Sequence, residues 1–305
     1  MFRTVLVPLD GSPSAEYALP WALAAAGPNA GIHLVHVHVA PVPMMVEGVV
    51  VADPNLDQSI REQEGDYMAH LAERVRVANP NLSVTARTID SDSPLAEAIG
   101  QSAEEAEADL VVMTTHGRGP FARFWLGSVS DEFLRHSPVP TLVLRPRDDK
   151  APANLAAKPT LRHLIIPLDG SELAERVVAP AVGLATRFGA DVTLVLVLGS
   201  VSDSSVVPRI KRSDPADATT PAERAELYLD RLARAIAEQG GMARTKLIRE
   251  GSPSDVVLGI AGNDPASGIA LATHGRSGIT RLLMGSVADD VVRHAPGPVL
   301  VFHPE

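Results

Sequence analysis

The strongest constraint on this chain is that its second half repeats its first. RTVLVPLDGS, Arg3 to Ser12, returns as RHLIIPLDGS, Arg162 to Ser171, at an offset of 159 residues. Gly117 returns as Gly275, His136 as His294 and Pro140 as Pro298, at an offset of 158. A period this long is a whole domain rather than one unit of a solenoid. With 305 residues in all, either half can bury a core of its own. The expected division is residues 1–147, a linker at 148–160 and residues 161–305. The join, RPRDDKAPANLAAKP at Arg145 to Pro159, has the proline, alanine and charge of a linker.

Within each half, short apolar runs alternate with helix-like stretches. In the first, strands are expected at Thr4 to Leu9, Ile32 to Val39, Leu82 to Ile89, Asp109 to Met113 and Val139 to Leu144. In the second they are expected at His163 to Leu168, Val192 to Leu198, Ala243 to Ile248, Gly268 to Leu271 and Pro298 to Phe302. Helices are read over Ala15 to Ala26, Ile60 to Ala78, Ser93 to Ala106 and Val129 to Arg135. Ser12 is placed to cap the first of them, with Pro13 at its first position. Pro41 to Asp57 and Gly199 to Pro221 read as irregular excursions. Continuously apolar strands alternating with helices argue for an α/β chain. The expectation is two repeated doubly wound (Rossmann-like) domains, each with a five-stranded parallel sheet covered on both faces. Such sheets bind ligands at the carboxyl ends of their strands, near the point where strand order reverses.

Composition removes several function classes. The net charge is −10 and no long basic run occurs, which excludes the phosphate-neutralising surface of a nucleic-acid binder. The absence of cysteine excludes disulfides, thiolate metal sites and thiol nucleophiles. MFRTVLVPLD lacks the basic and apolar regions of a signal peptide, and no apolar run has the length of a membrane span. A cytoplasmic protein, with no membrane partner, is the expectation.

Two loops carry the chemistry: THGRGPFARFWLGS, Thr115 to Ser128, and THGRSGITRLLMGS, Thr273 to Ser286. Each leaves an apolar run and enters a helix pattern. A helix amino terminus offers unpaired N–H groups and a partial positive charge, a combination that favours phosphate. Gly127 and Gly285 allow the backbone close to a ligand, and Ser128 and Ser286 each add a hydroxyl. The plainer alternative is a strand-to-helix connection in which glycine turns the chain and serine caps. No lysine precedes Ser128 or Ser286, so neither loop is a Walker A loop. The dinucleotide pattern G-x-G-x-x-G fails at Ala122 in one copy and at Ser277 in the other.

PLDGS near each start, the H-G-x9-G-S loop and the H-x-P before each last strand (His136 to Pro138, His294 to Pro296) together resemble the universal stress protein family. The resemblance is to a tandem, two-domain member and covers nearly the whole chain. It implies ATP, with or without Mg2+, at a loop of the form G-x2-G-x9-G-S/T. Here the second and third glycines are present as Gly117 and Gly127, and as Gly275 and Gly285; Thr114 and Ala272 stand in place of the first. Carried over by position, the resemblance puts Asp10 and Asp169 beside the nucleoside. The backbones of Val37 and Val197 would face the adenine, and Met113, Thr114, Leu271 and Ala272 would line the ribose side. Gly117, Gly127, Ser128, Val129 and Ser130 would reach the phosphates in one half, and Gly275, Gly285, Ser286, Val287 and Ala288 in the other. Relatives pair through the last strand, which here implies internal antiparallel pairing of Val139 to Leu144 with Pro298 to Phe302. A homodimer of whole chains is compatible with that arrangement. The implied function is a nucleotide-dependent stress regulator rather than a metabolic enzyme. The alternatives are a nucleotide-free interaction module and a slow ATPase.

The remaining polar residues read more simply. Asp-Gly after the first strand of each half is also a common turn. Arg118 and Arg276 could pair with phosphate or be solvated; His116 and His274 read as structural. His33, His36 and His38 suggest a metal, but Thr193, Leu196 and Leu198 fill the matching places and no carboxylate cluster is apparent, so they read as buried or rim histidines. Asp53 and Asp57 read as solvated. No catalytic set of nucleophile, base and orienting group emerges.

Overall fold

The structure, a computed structural model, describes residues 2–41, 44–46, 49–51, 54–115, 127–146, 153–198, 220–248, 250–273 and 285–303. The first half runs β1 (Phe2–Leu9), α1 (Pro13–Glu16), α2 (Ala18–Ala25), β2 (Ala26–His38), β3 (Met44–Val46), β4 (Val49–Val51) and α3 (Pro54–Ala78). It continues β5 (Ser83–Asp90), α4 (Leu95–Glu105), β6 (Leu110–Thr114), α5 (Ser128–His136) and β7 (Thr141–Leu144). The second half runs β8 (His163–Leu168), α6 (Glu172–Glu175), α7 (Val178–Phe188), β9 (Asp191–Val197) and α8 (Pro221–Glu238). It ends with β10 (Ala243–Ile248), α9 (Pro253–Ala261), β11 (Ser267–Ala272), α10 (Ser286–His294) and β12 (Val299–Phe302).

Among these residues ten strands form one sheet, in the order β10-β9-β8-β11-β12-β7-β6-β1-β2-β5. Each half contributes five parallel strands. The halves meet where β7 and β12 pair antiparallel, Val143 opposite Val299 and Thr141 opposite Val301. That pairing satisfies two edges that would otherwise offer unpaired backbone groups. Strand order reverses between β1 and β6 in one half and between β8 and β11 in the other, opening a crevice at each place.

Strand alternation sorts the core into layers. Val5 and Val7 of β1 face α2 and α3, while Leu6 faces α4 and α5 with Val35, Val111 and Phe133. Ile165, Val195, Ile269 and Leu271 repeat the second layer against Val257 and Val291. The first layer runs on across β7 and β12 through Leu142, Leu144 and Leu300. Trp21 of α2 meets Phe188 of α7 there, with ring centroids 5.4 Å apart.

The expected helix from Ala15 to Ala26 is two helices, with Tyr17 between them. Pro20 has no N–H to donate to the Glu16 carbonyl, so the ladder breaks one turn before it. Pro180 interrupts α6 and α7 in the same way. β2 begins six residues earlier than expected. Its pairing jumps from Phe2 opposite Ala26 to Thr4 opposite Gly31, a bulge in which Asn29 takes a positive φ of 59°. The stretch Pro41 to Asp57 is not wholly irregular. Met44–Val46 and Val49–Val51 pair antiparallel, and α3 starts at Pro54; β-branched valines favour the ladder, and a proline at a helix start costs no hydrogen bond. Most of Gly199 to Pro221 lies outside the described residues, as do 147–152 of the join. Among the described residues no helix is long and apolar enough to cross a membrane.

Candidate functional site

The Asp-Gly turns after β1 and β8 are built alike. Asp10 Oδ1 accepts from the Ser12 amide at 2.9 Å and the Ser12 hydroxyl at 2.6 Å. Asp169 Oδ1 does the same with Ser171, again at 2.9 and 2.6 Å. The serine oxygens in turn cap α1 and α6, accepting from Ala15 at 3.2 Å and Ala174 at 3.1 Å. Gly11 and Gly170 sit at φ of 79° and 82°, a conformation a side chain resists. One oxygen of each aspartate therefore serves the turn, and Asp169 also lines a cleft.

The glycine loops are closed at their base by the chain itself. The Gly127 amide donates to the Thr115 carbonyl at 2.7 Å, and the Gly285 amide to the Thr273 carbonyl at 2.9 Å. A Cβ on Gly127 would stand 2.7 Å from that carbonyl oxygen, and one on Gly285 3.1 Å from its own. These glycines are thus required by close backbone approach. Both are N-caps with no side chain to cap the helix that follows. The first intrahelical bond of α10 is from Asp289 to Gly285, at 2.9 Å. The amides of Ser286, Val287 and Ala288 precede it and have no acceptor within the helix.

In the second half these parts line one cleft of 320 Å³, bounded by Asp169, Val197, Leu271, Ala272, Gly285, Ser286, Val287 and Ala288. Leu198 donates its amide to Ile248 of β10 at 2.9 Å. Strand alternation then turns the peptide groups of Val197 the other way, past the last paired residue of β8, Leu168 opposite Leu196. Pro167, Leu168, Ala174, Val195, Pro253, Val257 and Thr273 complete the walls. Pro167, Leu168 and Thr273 belong to the repeated motifs, whereas Ala174, Val195, Pro253 and Val257 do not; for Val195 the signal was alternation, since it shares a face of β9 with Val197.

In the first half Asp10 follows β1, Met113 and Thr114 end β6, and Gly127, Ser128, Val129 and Ser130 lie at the start of α5, with Val37 packed against the α4 layer. Ser130 Oγ, buried, donates to the Thr114 carbonyl at 3.0 Å. Its counterpart Ala288 has no hydroxyl to do so. Gly117 and Gly275 lie outside the described residues, as do His116, Arg118, His274, Arg276 and Asp53.

The histidines of β2 require a correction. Carboxylates do accompany them, and Asp57 is not simply solvated. His38 Nδ1 lies 2.7 Å from Glu64 Oε2 and its Nε2 lies 3.0 Å from Asp57 Oδ1. His36 Nδ1 bonds the Leu9 carbonyl at 2.8 Å, and its Nε2 stands 3.1 Å from Glu64 Oε1. The carboxylates were missed because α3 begins at Pro54, which brings Asp57 and Glu64, seven residues apart, onto one helical face. Among the described residues no group of three or more His, Cys, Asp and Glu side chains is arranged to hold a metal ion.

The model of the universal stress protein family matches residues 1–145 and again 160–303. The chain belongs to the universal stress protein family. A universal stress protein of Mycobacterium tuberculosis strain H37Rv, Rv2005c, is 28% identical over 306 residues, covering 97% of this chain and 96% of the relative. A second from the same strain, Rv2623, is 26% identical and covers 97% and 95%. The fold is similar to the crystal structure of a universal stress protein from Archaeoglobus fulgidus DSM 4304, with TM-score 0.68, 18% identity and coverage of 99% and 98%. The universal stress protein domain thus occurs twice, with its two crevices on one continuous sheet.

Proposed function

We propose that this universal stress protein binds ATP in the cleft of its second half and acts as a nucleotide-dependent stress regulator rather than a metabolic enzyme. The observation that carries the reading is the 320 Å³ cleft, whose walls combine Asp169, the Val197 peptide groups and the amino terminus of α10. The adenine would bond the Val197 backbone, the ribose would lie by Asp169, Leu271 and Ala272, and the phosphates would meet the amides of Ser286, Val287 and Ala288. ATP supplies negative charge at a helix end that attracts it. Mg2+ would accompany the phosphates; no residue of this chain is assigned to it. Among the described residues no acid–base pair lies beside the helix end to support efficient hydrolysis.

In the first half the second reading, a nucleotide-free interaction surface, is favoured. Thr114 is β-branched where a glycine would leave room, and the Ser130 hydroxyl is bonded to the Thr114 carbonyl. Mass spectrometry of ligand released from freshly purified protein, followed by calorimetric titration with MgATP, tests both readings. The expected result is one adenine nucleotide per chain. An empty protein that shows no heat and no thermal shift with MgATP would overturn the ATP reading.

A further inference from the structure

The first half contains a polar cluster that is not repeated among the described residues of the second half. His36 and His38 project from one face of β2, and Asp57, Arg61 and Glu64 from the amino-terminal part of α3. The His36 and His38 side chains are 9% and 2% exposed, and that of Glu64 is 20% exposed. Arg61 Nε donates to Asp57 at 2.8 Å, and its guanidinium also pairs with Asp90 at the end of β5. β1 contributes the Leu9 carbonyl. The next charge beside α3, Glu16 of α1, is engaged by Tyr67 and Arg74 further along the helix. In the second half Leu196 and Leu198 replace the two histidines. Matching Tyr67 with Tyr228, which lies by Glu175 as Tyr67 lies by Glu16, puts Ala225 in the place of Glu64.

Hydrogen-bond chemistry fixes what this cluster requires. A carboxylate only accepts, and a neutral imidazole has one N–H. Both nitrogens of His38 face carboxylate oxygens, so the contacts are complete only for the imidazolium. His36 must donate Nδ1–H to a carbonyl, which leaves its buried Nε2 facing Glu64 without a well-aligned hydrogen bond. We propose that His38, held between Glu64 and Asp57, is a proton-operated latch that ties the amino-terminal part of α3 to the end of β2 and releases it when the proton leaves.

Burial opposes the charge on His38, but the hydrogen bonds to Glu64 and then Asp57 outweigh it, and the pKa is raised above 6.5. Arg61 first, then His38, lower the Asp57 pKa below 3.8. A raised histidine pKa stabilises fully below 6.5, and the effect disappears as pH climbs through the folded value; a lowered aspartate pKa stabilises above 3.8 and is lost as pH falls through the folded value. The latch is therefore fully set between about pH 3.8 and 6.5.

Amide hydrogen exchange over residues 55–64, corrected for the intrinsic rate, tests this in the full chain at pH 5.5 and pH 8.5 (roughly one unit inside and two units beyond 6.5). Protection should be greater at the acidic pH, by about tenfold for each unit by which the His38 pKa is raised. An NMR titration of the wild-type imidazoles gives that pKa directly. Replacing the cluster by the residues of the second half, as His36→Leu, His38→Leu and Glu64→Ala together, should remove the pH dependence of protection. Equal protection at the two pH values, or His38 titrating at the ordinary imidazole value, would overturn the proposal; because both are read on the wild type, they decide it even if the triple variant fails to fold.

Discussion

Leu142 of β7 stands opposite Leu300 of β12 in the antiparallel pair that joins the halves, and neither side chain has measurable exposure. The two residues belong to a core layer that includes α2 of one half and α7 of the other. The junction is therefore apolar interior as well as a ladder of backbone hydrogen bonds. Leu300→Ala should destabilise the chain by about 2–5 kcal/mol, the usual cost of a buried leucine cavity. Urea unfolding should show the first half losing stability together with the second. A change confined to the second half would mean that the halves are not energetically joined here.

The two loop-closing glycines should differ in tolerance. A Cβ at Gly127 would come within 2.7 Å of the Thr115 carbonyl oxygen, whereas one at Gly285 would be 3.1 Å from Thr273. Gly127→Ala should cost about 1–3 kcal/mol, as overpacking does, and Gly285→Ala should cost less. Thermal unfolding of the two variants side by side checks the order, and a reversal would contradict the loop-base geometry.

Occupancy of the crevices should respond to the residue in the place of the first glycine. Ala272→Val narrows the cleft of the second half and should weaken ATP binding at least about tenfold, or about 1.4 kcal/mol, with little change in melting temperature. Thr114→Gly should move the calorimetric stoichiometry from one nucleotide per chain towards two. An unchanged affinity in Ala272→Val would place the nucleotide elsewhere.

Arg145 follows β7 and crosses to the end of α10, where its guanidinium donates to the carbonyls of Val292, at 3.5 Å, and Arg293. A cation at a helix carboxyl terminus contributes about 0.3–1 kcal/mol. Arg145→Ala should speed amide exchange in the last turn of α10 while leaving α5 unchanged. Equal effects on both helices would argue against a directed cap.

His163 should act on pH-dependent stability in the opposite sense to His38. Burial lowers its pKa below 6.5, and its Nε2 lies 2.8 Å from Thr193 Oγ1. The unfolded chain takes up that proton first, so the stability His163 contributes is present above pH 6.5 and lost as pH falls through the folded value. His163→Gln should flatten the decline in melting temperature just below pH 6.5. An unaltered slope would show that the imidazole is not the titrating group.

Much of this was legible in the repeat. The strands His163–Leu168 and Ala243–Ile248 fall where apolar patterning places them, and the antiparallel junction falls at the expected last strands. Helix ends were less legible where proline acts at a distance, as Pro20 does on the turn before it. The hairpin of Met44–Val46 with Val49–Val51 was hidden by prolines on either side that flank it without entering it.

By itself the sequence determined the duplicated α/β fold, the rim on which Asp10 and Asp169 lie, and the glycine loops, because these follow from periodicity and from local backbone demands. Only the tertiary structure decided that Ser130 binds the Thr114 carbonyl and that Val197 presents its peptide groups to a cleft. It alone brought Asp57 and Glu64 to His36 and His38. Those facts depend on which strand ends first and where a long helix docks, and burial strengthens polar contacts that no local pattern encodes.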